Sequence, residues 1–256
     1  MKVFYFSSTG NCLSVAKALG GEAISIPQVL RGTERRFEDD AIGIVTPTYC
    51  GNSARIVVEF LEQVELFADY RFAIATYGGL MGNPLKPLAA VASKKGWSFD
   101  YTNAILMVDN YLPFFDIDQE RQKKDQRKID AEVDRVTGDI ATRKQTALKP
   151  SVPMKLYGAV AKVAYNGIAG PDVAHDKFSV NESCTSCGTC ARFCPGDNIV
   201  VAPNARPVFR NSCLGCYGCV HICPQNAIHA KDEKSAARWR NPDASVDELV
   251  AANTQQ

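Results

Sequence analysis

The sequence predicts an α/β domain built from βαβ units around a parallel sheet, followed by a small cysteine-dense domain. Three observations carry this expectation. Short apolar runs alternate with helix-periodic segments through the first two-thirds of the chain. A hydroxyl-rich glycine turn follows the first of those runs. Eight of the ten cysteines then fall into two near-identical runs between residues 184 and 223.

At 256 residues the chain has room for one ordinary domain and a smaller one. Hydrophobic content of 46% with 22% charged residues describes a globular chain expected to be soluble. No run approaches the ~18 uncharged apolar residues that a membrane span requires, so no membrane insertion is expected. A formal net charge of +1, with neither an arginine-rich stripe nor an aromatic ladder, gives no reason to expect nucleic acid. The opening MKVFYFSSTGNC runs straight from an apolar stretch into a glycine turn, without the h-region of a signal peptide. So cysteine-rich a chain without a secretion signal is expected in a reducing, cytoplasmic compartment.

Residues 3–6 read as a buried strand, and Leu13, Val15, Ala16 and Leu19 after the turn read as a helix. Further strands are expected at 41–45, 72–75 and 104–108, with helices near 54–67 and 85–95. In parallel sheets of this kind ligands bind beyond the carboxyl ends of the strands, so the loops there are the places to search. In the first loop Ser7, Ser8 and Thr9 supply hydroxyls and Gly10 permits a turn. The helix that follows offers unpaired N–H groups, and together these could hold a phosphate. The loop lacks both the lysine of a P-loop and the G-x-G-x-x-G of a dinucleotide site. A serine-rich turn can equally be no more than a helix cap. Residues 116–146 read as one long, solvated last helix carrying Ile129, Val133 and Val136 at helical spacing, stopped by Pro150 and Pro153. A short helix over 155–165 places Leu156, Val160, Val163 and Ala164 on one face. Lys155 and Lys162 invite a membrane-surface reading, but so short a helix is expected to pack between two domains. Gly167, Gly170 and Pro171 mark a hinge.

The cysteine runs are Cys184, Cys187, Cys190, Cys194 and Cys213, Cys216, Cys219, Cys223, each followed by proline. Both read C-x2-C-x2-C-x3-C-P, the ligand run of paired [4Fe–4S] clusters. Three thiolates on one tight loop can reach three corners of a cubane. The fourth is carried away as the chain turns into a helix, and it points at the neighbouring cluster. Cys184, Cys187, Cys190 and Cys223 are therefore expected around one cluster, and Cys213, Cys216, Cys219 and Cys194 around the other. Structural zinc prefers two C-x2-C knuckles separated by a longer stretch, and disulfide frameworks belong to short secreted chains. Loaded with clusters, this region would be anionic despite Arg192, Arg206 and Arg210. Of His175, His221 and His229, only His221 lies near these cysteines, where an exposed bystander is expected. Ser245 with Glu248 predicts a capping box opening a brief helix in an otherwise loose tail.

Ser7-Ser8-Thr9-Gly10-Asn11 resembles the phosphate loop of flavodoxins, T/S-x-T-G-N-T/S, with Cys12 standing where those proteins carry a hydroxyl and Ser14 close by. Pro47-Thr48-Tyr49-Cys50-Gly51, after the third strand, is similar to the loop in which flavodoxins place an aromatic residue against the isoalloxazine, here Tyr49. Thr76-Tyr77-Gly78-Gly79, after the fourth, resembles the second ring-clasping loop, and Asp109-Asn110-Tyr111 follows the fifth. Tyr49 and Tyr77 also remain readable as core residues at strand ends. Cys12 and Cys50 could pair as a redox disulfide, but free cysteines are the ordinary outcome.

The order of the parts resembles flavodoxin–ferredoxin fusion proteins over 1–146 and 178–231. The resemblance implies a flavodoxin-like doubly wound parallel sheet of five strands in the order 2-1-3-4-5, plus a small α+β bacterial ferredoxin domain. The implied domains are 1–148, a helical linker 149–177, a two-cluster domain 178–232 and a tail 233–256. The implied cofactors are FMN and two [4Fe–4S] clusters. The implied function is electron transfer between them and external protein donors and acceptors. A flavin-dependent reductase of a quinone or nitro compound, fed by the clusters, is the alternative. A homodimer is compatible with either.

Overall fold

The computed structural model describes residues 1–168 and 177–254; Gly170, Pro171 and His175 lie outside the described residues. The chain divides into two compact units. The first comprises Met1–Ser7, Asn11–Val108 and Lys124–Ala164; the second comprises Ser8–Gly10, Asp109–Lys123 and Tyr165–Gln256.

The first unit begins with β1 (Lys2–Tyr5), α1 (Asn11–Ala18), β2 (Glu22–Ser25), α2 (Ile26–Arg31) and β3 (Arg36–Glu38). It continues through β4 (Ala41–Tyr49), β5 (Asn52–Ser53), α3 (Arg55–Gln63), β6 (Glu65–Phe67), β7 (Tyr70–Tyr77), α4 (Lys86–Lys94) and β8 (Tyr101–Leu106). The main sheet runs β2-β1-β4-β7-β8, every pair in it parallel, with β5 folded back antiparallel on β4. Winding reverses at β1, which has β2 on one side and β4 on the other. β1 and β7 and the first part of β4 are near-continuously buried because helices cover both faces of a parallel sheet. Phe4 anchors one side of the core, its ring 4.9 Å from Phe37 and 5.0 Å from Phe60. Gly43 is required opposite Phe72, whose ring atoms lie 2.1 Å from where a Cβ would stand.

The expected helix over 54–67 ends early, at Gln63. Val64 turns extended and buried, and Glu65–Phe67 instead pairs with β3 as a separate two-stranded sheet. The expected helix over 116–146 is two helices, α5 (Ile117–Lys123) in the second unit and α6 (Gln126–Ala141) in the first. Asp125 causes the break. It is extended (φ −85°, ψ 109°) and accepts from the Arg127 N–H as an N-cap, a geometry no helix interior allows. Asp139, near the end of α6, ties together the buried Tyr101 hydroxyl (3.0 Å), Arg135 (2.7 Å) and Lys144 (2.9 Å).

Helix α7 (Val152–Ile168) follows, with Pro153 tolerated in its first turn. Its inward face is small: the Gly158 carbonyl accepts from Asn52 at 3.0 Å, and a Cβ there would stand 3.0 Å from the Asn83 nitrogen. Of the face expected to pack between domains, Leu156 is 65% and Val160 64% exposed, as is Val152 (76%) a turn earlier, while the side chains of Lys162, Val163 and Ala164 lie outside those described.

In the second unit β9 (Phe178–Val180) will pair antiparallel with the last strand. Next come α8 (Thr189–Phe193), β10 (Ile199–Val200), β11 (Val208–Phe209), α9 (Gly218–Ile222), β12 (Ile228–Ala230) and α10 (Val246–Asn253). The pairs β9–β12 and β10–β11 are both antiparallel. Leu112, Ile117, Ile199, Tyr217, Val220 and Ile228 form its core together with Cys190 and Cys219. The tail is not loose. α10 carries the complete Ser245–Glu248 capping box, buries Leu249, Ala252 and Asn253, and is followed by Thr254, whose hydroxyl donates to the Arg192 carbonyl at 3.1 Å. Among the described residues no helix is long and apolar enough to cross a membrane.

Candidate cofactor sites

Each cysteine run is built the same way. A loop reaches a left-handed residue, Gly188 (φ 74°) or Tyr217 (φ 55°), which turns the chain into a helix of one and a half turns. The helix carries the third cysteine, Cys190 or Cys219, and ends at the fourth. Cys194 (φ −63°, ψ 110°) and Cys223 (φ −60°, ψ 118°) are extended there because the following proline forbids another helical residue before it. That bend sends each fourth side chain away from its own loop. One cavity, about 340 Å³ including the part open to solvent, is bounded by Cys184, Cys187, Cys190 and Cys223. The other, about 330 Å³ on the same measure, is bounded by Cys213, Cys216, Cys219 and Cys194.

The thiols are furnished for charge. Backbone N–H groups of Asn198, Gly215 and Ala227 donate to the Cys194, Cys213 and Cys223 sulfurs at 3.3 Å. Burial pushes the Cys190 thiol up to about 12, and raises Cys194, Cys213, Cys216 and Cys219 as well. Cys187 goes the other way, lowered by the Thr189 hydroxyl beside it. Burial therefore favours neutral thiols here, and binding a metal centre would expel their protons. Among the described residues no three His, Cys, Asp or Glu side chains draw together around a single ion.

The hydroxyl-rich turn is buried: Ser7, Ser8 and Thr9 are each exposed by 5% or less. Gly10 has φ +101°, a region open to glycine, and its Cβ position lies 2.6 Å from the Ala244 Cβ and 2.9 Å from the Asn241 Cβ. The Thr9 carbonyl accepts from the Asn241 N–H at 2.7 Å, and its hydroxyl accepts from the Asn110 carboxamide at 2.5 Å. Ser8 lies under α9, its Cβ 3.3 Å from where a side chain on Gly218 would begin. Asn110 is further held through its carbonyl, which accepts from His221 at 2.9 Å, while the other ring nitrogen of His221 accepts from the Trp239 N–H at 3.1 Å. His221 is thus wholly buried and doubly bonded, not the exposed bystander the sequence suggests. In the sequence nothing links Asn241 and Ala244 to this site; the Asn241-Pro242 pair is a turn signal that gives no hint of what the turn covers.

Asn11 begins α1 and donates to the Val108 carbonyl at 3.2 Å. Cys12 faces Thr76, sulfur to hydroxyl 3.2 Å, and burial pushes its thiol up to about 12. It is therefore a neutral group, and adds no negative charge to the turn. None of the ten cysteines is joined in a disulfide, Cys12 and Cys50 included.

The two expected ring loops lie differently from the sequence reading. Pro47, Thr48 and Tyr49 do not follow a strand but end β4, because Thr48 and Tyr49 pair with Ser53 and Asn52 in a hairpin turned by Cys50 (φ 46°) and Gly51 (φ 73°). Thr76 and Tyr77 likewise end β7, pairing with Ile105 and Leu106. Tyr49 is half-buried with its ring edge-on to Phe6 at 6.5 Å. Tyr77 is half-buried, and desolvation raises its phenol. The Gly78 carbonyl accepts from Lys124 at 2.8 Å; Gly79 and Leu80 are exposed. The Thr48 hydroxyl is buried and has no hydrogen-bond partner among the described residues.

Residues 183–228 match the family described as a 4Fe-4S dicluster domain. No curated protein matches the chain. A protein described as a flavoprotein, from Bacteroides eggerthii, is 21% identical over 47% of this chain and 92% of its own, with a TM-score of 0.31. The Flv1 flavodiiron core from Synechocystis is 14% identical over 64% of this chain and 36% of its own, with a TM-score of 0.33.

Proposed function

We propose that the chain is an electron-transfer protein holding two [4Fe–4S] clusters and FMN, and exchanging electrons with separate protein partners. The observation that carries this is the sorting of eight cysteines into two cavities of four, each taking three from one run and the fourth from the other. Among the described residues no three of these thiols close around a single ion, so two sets of four suit the corners of a cubane better than the tight shell of a single zinc. The match of 183–228 to a dicluster family supports the same reading.

FMN rests on separate grounds. The parallel order β2-β1-β4-β7-β8, with winding reversed at β1, supports a flavodoxin-like topology with its ligand crevice beside β1. The turn at Ser7, Ser8, Thr9, Gly10 and Asn11, with a neutral Cys12 beside it, carries hydroxyls and backbone N–H groups suited to a phosphate and no acidic residue of its own. The orphaned Thr48 hydroxyl is a buried polar group in want of a partner, and Tyr49, Tyr77, Gly78 and Gly79 stand at the strand ends where a ring would be clasped. When bound, a flavin exchanges electron pairs and clusters carry single electrons. The chain's own part is to hold the phosphate with Ser7, Ser8, Thr9 and Asn11, to direct N–H groups at cluster sulfurs, and to keep both centres on one polypeptide. The last raises each centre's effective concentration for the other.

Anaerobic purification followed by iron, acid-labile sulfide and flavin assays tests the reading. Wild type should carry roughly eight irons and one flavin, and Cys223→Ser roughly four irons. About two zinc per chain without sulfide would overturn it.

A further inference from the structure

We propose that the outward face of α7 docks the protein on an anionic membrane surface. The helix is held by its small side: Gly158 lies against Asn83 and Gly51, and its carbonyl accepts from Asn52, so the opposite side has to face away. On that side Val152, Leu156 and Val160 recur every four residues, forming one stripe along the helix with the exposed Ala159 beside it. Their exposures of 76%, 65% and 64% make this a continuous apolar ridge, unlike the scattered single apolar residues of an ordinary surface.

Charge identifies the occupant. Residues 140–171 contain Arg143, Lys144, Lys149, Lys155 and Lys162 and no aspartate or glutamate, in a chain that totals 29 basic and 28 acidic residues. Lys144 is committed to Asp139, but Lys149 and Lys155 are exposed, Lys149 just before the ridge and Lys155 along one edge of it. A second copy of so basic a segment would meet like charge. A bilayer rich in acidic headgroups would accept the valines and leucine into its boundary while lysine stems reach up to the phosphates. The helix is too short and too charged to cross, so it would lie in the plane of the surface.

The test is flotation of the cofactor-loaded full chain with vesicles of phosphatidylglycerol and phosphatidylcholine in equal parts, and with phosphatidylcholine alone. Binding should be about tenfold or more stronger on the anionic vesicles, and should fall about tenfold on raising the salt from ~0.1 M to ~0.5 M. Leu156→Glu should lower it by a further factor of about ten with unchanged circular dichroism, since the side chain touches little of the fold. Lys155→Glu should act in the same direction. Absence of binding to anionic vesicles would overturn the proposal, as would equal binding by Leu156→Glu. So would a micromolar dimer that Leu156→Glu converts to monomer, because the ridge would then be a self-interface.

Discussion

Gly10→Ala puts the packing of the hydroxyl-rich turn to a quantitative test. Two costs add. At φ +101° an alanine is forced into a conformation that disfavours any side chain, about 1–2 kcal/mol by the usual scale for left-handed backbone. Its new methyl would also stand 2.6 Å from Ala244 and 2.9 Å from Asn241, an overpacking of about 1–3 kcal/mol if the segment yields partially. The expected loss is therefore about 2–5 kcal/mol. The turn and its covering segment both belong to the second unit, as does Trp239, whereas Trp97 belongs to the first. In a Trp97→Phe background, urea unfolding followed by Trp239 fluorescence reads the right unit. Adding Ala244→Gly to Gly10→Ala removes the shortest contact and leaves the backbone strain, so the pair should show a coupling of about 1 kcal/mol or more. A loss below about 1 kcal/mol for Gly10→Ala, with an unchanged denaturant slope, would refute both the turn's geometry and the seating of Asn241 and Ala244 on it.

Asp139→Asn should destabilise the first unit at pH 7 and by less at pH 3. The Lys144 ammonium beside Asp139 holds its carboxyl below the ordinary range, so its contribution is present above about pH 4 and disappears as pH falls through the folded value. Urea unfolding followed by Trp97 fluorescence at the two pH values checks this, and parallel losses at both would contradict it. Cys12, with its thiol pushed up to about 12, should resist iodoacetamide at pH 8 in the native protein, where only about one molecule in ten thousand carries the thiolate, and label fully in urea. Because its folded value lies above its ordinary 9.0, its contribution to stability is complete below about pH 9 and is lost above it. Peptide mass mapping after timed alkylation gives the answer, and native labelling at the denatured rate would show that Cys12 is not sealed against Thr76.

What the sequence discloses of the fold is what local pattern encodes. Apolar runs at 41–45 and 72–75 identify two central strands because parallel strands are buried on both faces and so carry little polar interruption. β2 escapes the same reading: Glu22 and Ala23 are exposed, and only Ile24 and Ser25 turn inward, so an edge strand offers no apolar run to find. The strand ends are misjudged for a related reason. Thr48, Tyr49, Thr76 and Tyr77 have turn-like neighbours, and what makes them strand is pairing with residues elsewhere, Thr76 and Tyr77 with Ile105 and Leu106. Asp125 shows the reverse case, in which a helix-prone charged stretch hides an N-cap because Asp is unremarkable in a solvated helix.

The candidate sites divide along the same line. A cysteine run states its loop, its helix and its stopping proline in twelve consecutive residues, so the cavity each thiol joins follows from local geometry. The hydroxyl turn states only its own shape. Its cover at Asn241 and Ala244 lies more than two hundred residues away, and its brace at Asn110 about a hundred, and no spacing rule reaches so far. His221 is the hinge of that long-range arrangement. It sits between Cys219 and Cys223, yet both ring nitrogens are spent on the Asn110 carbonyl and the Trp239 N–H. Asn110 in turn grips Thr9. The helix carrying a cavity cysteine is therefore joined, by three successive hydrogen-bonded residues, to the turn that would hold a phosphate. Displacing His221 would leave a part-buried carbonyl and a part-buried N–H without these partners, at a cost of up to about 1–3 kcal/mol each, which makes the histidine a structural joint and gives its burial a reason.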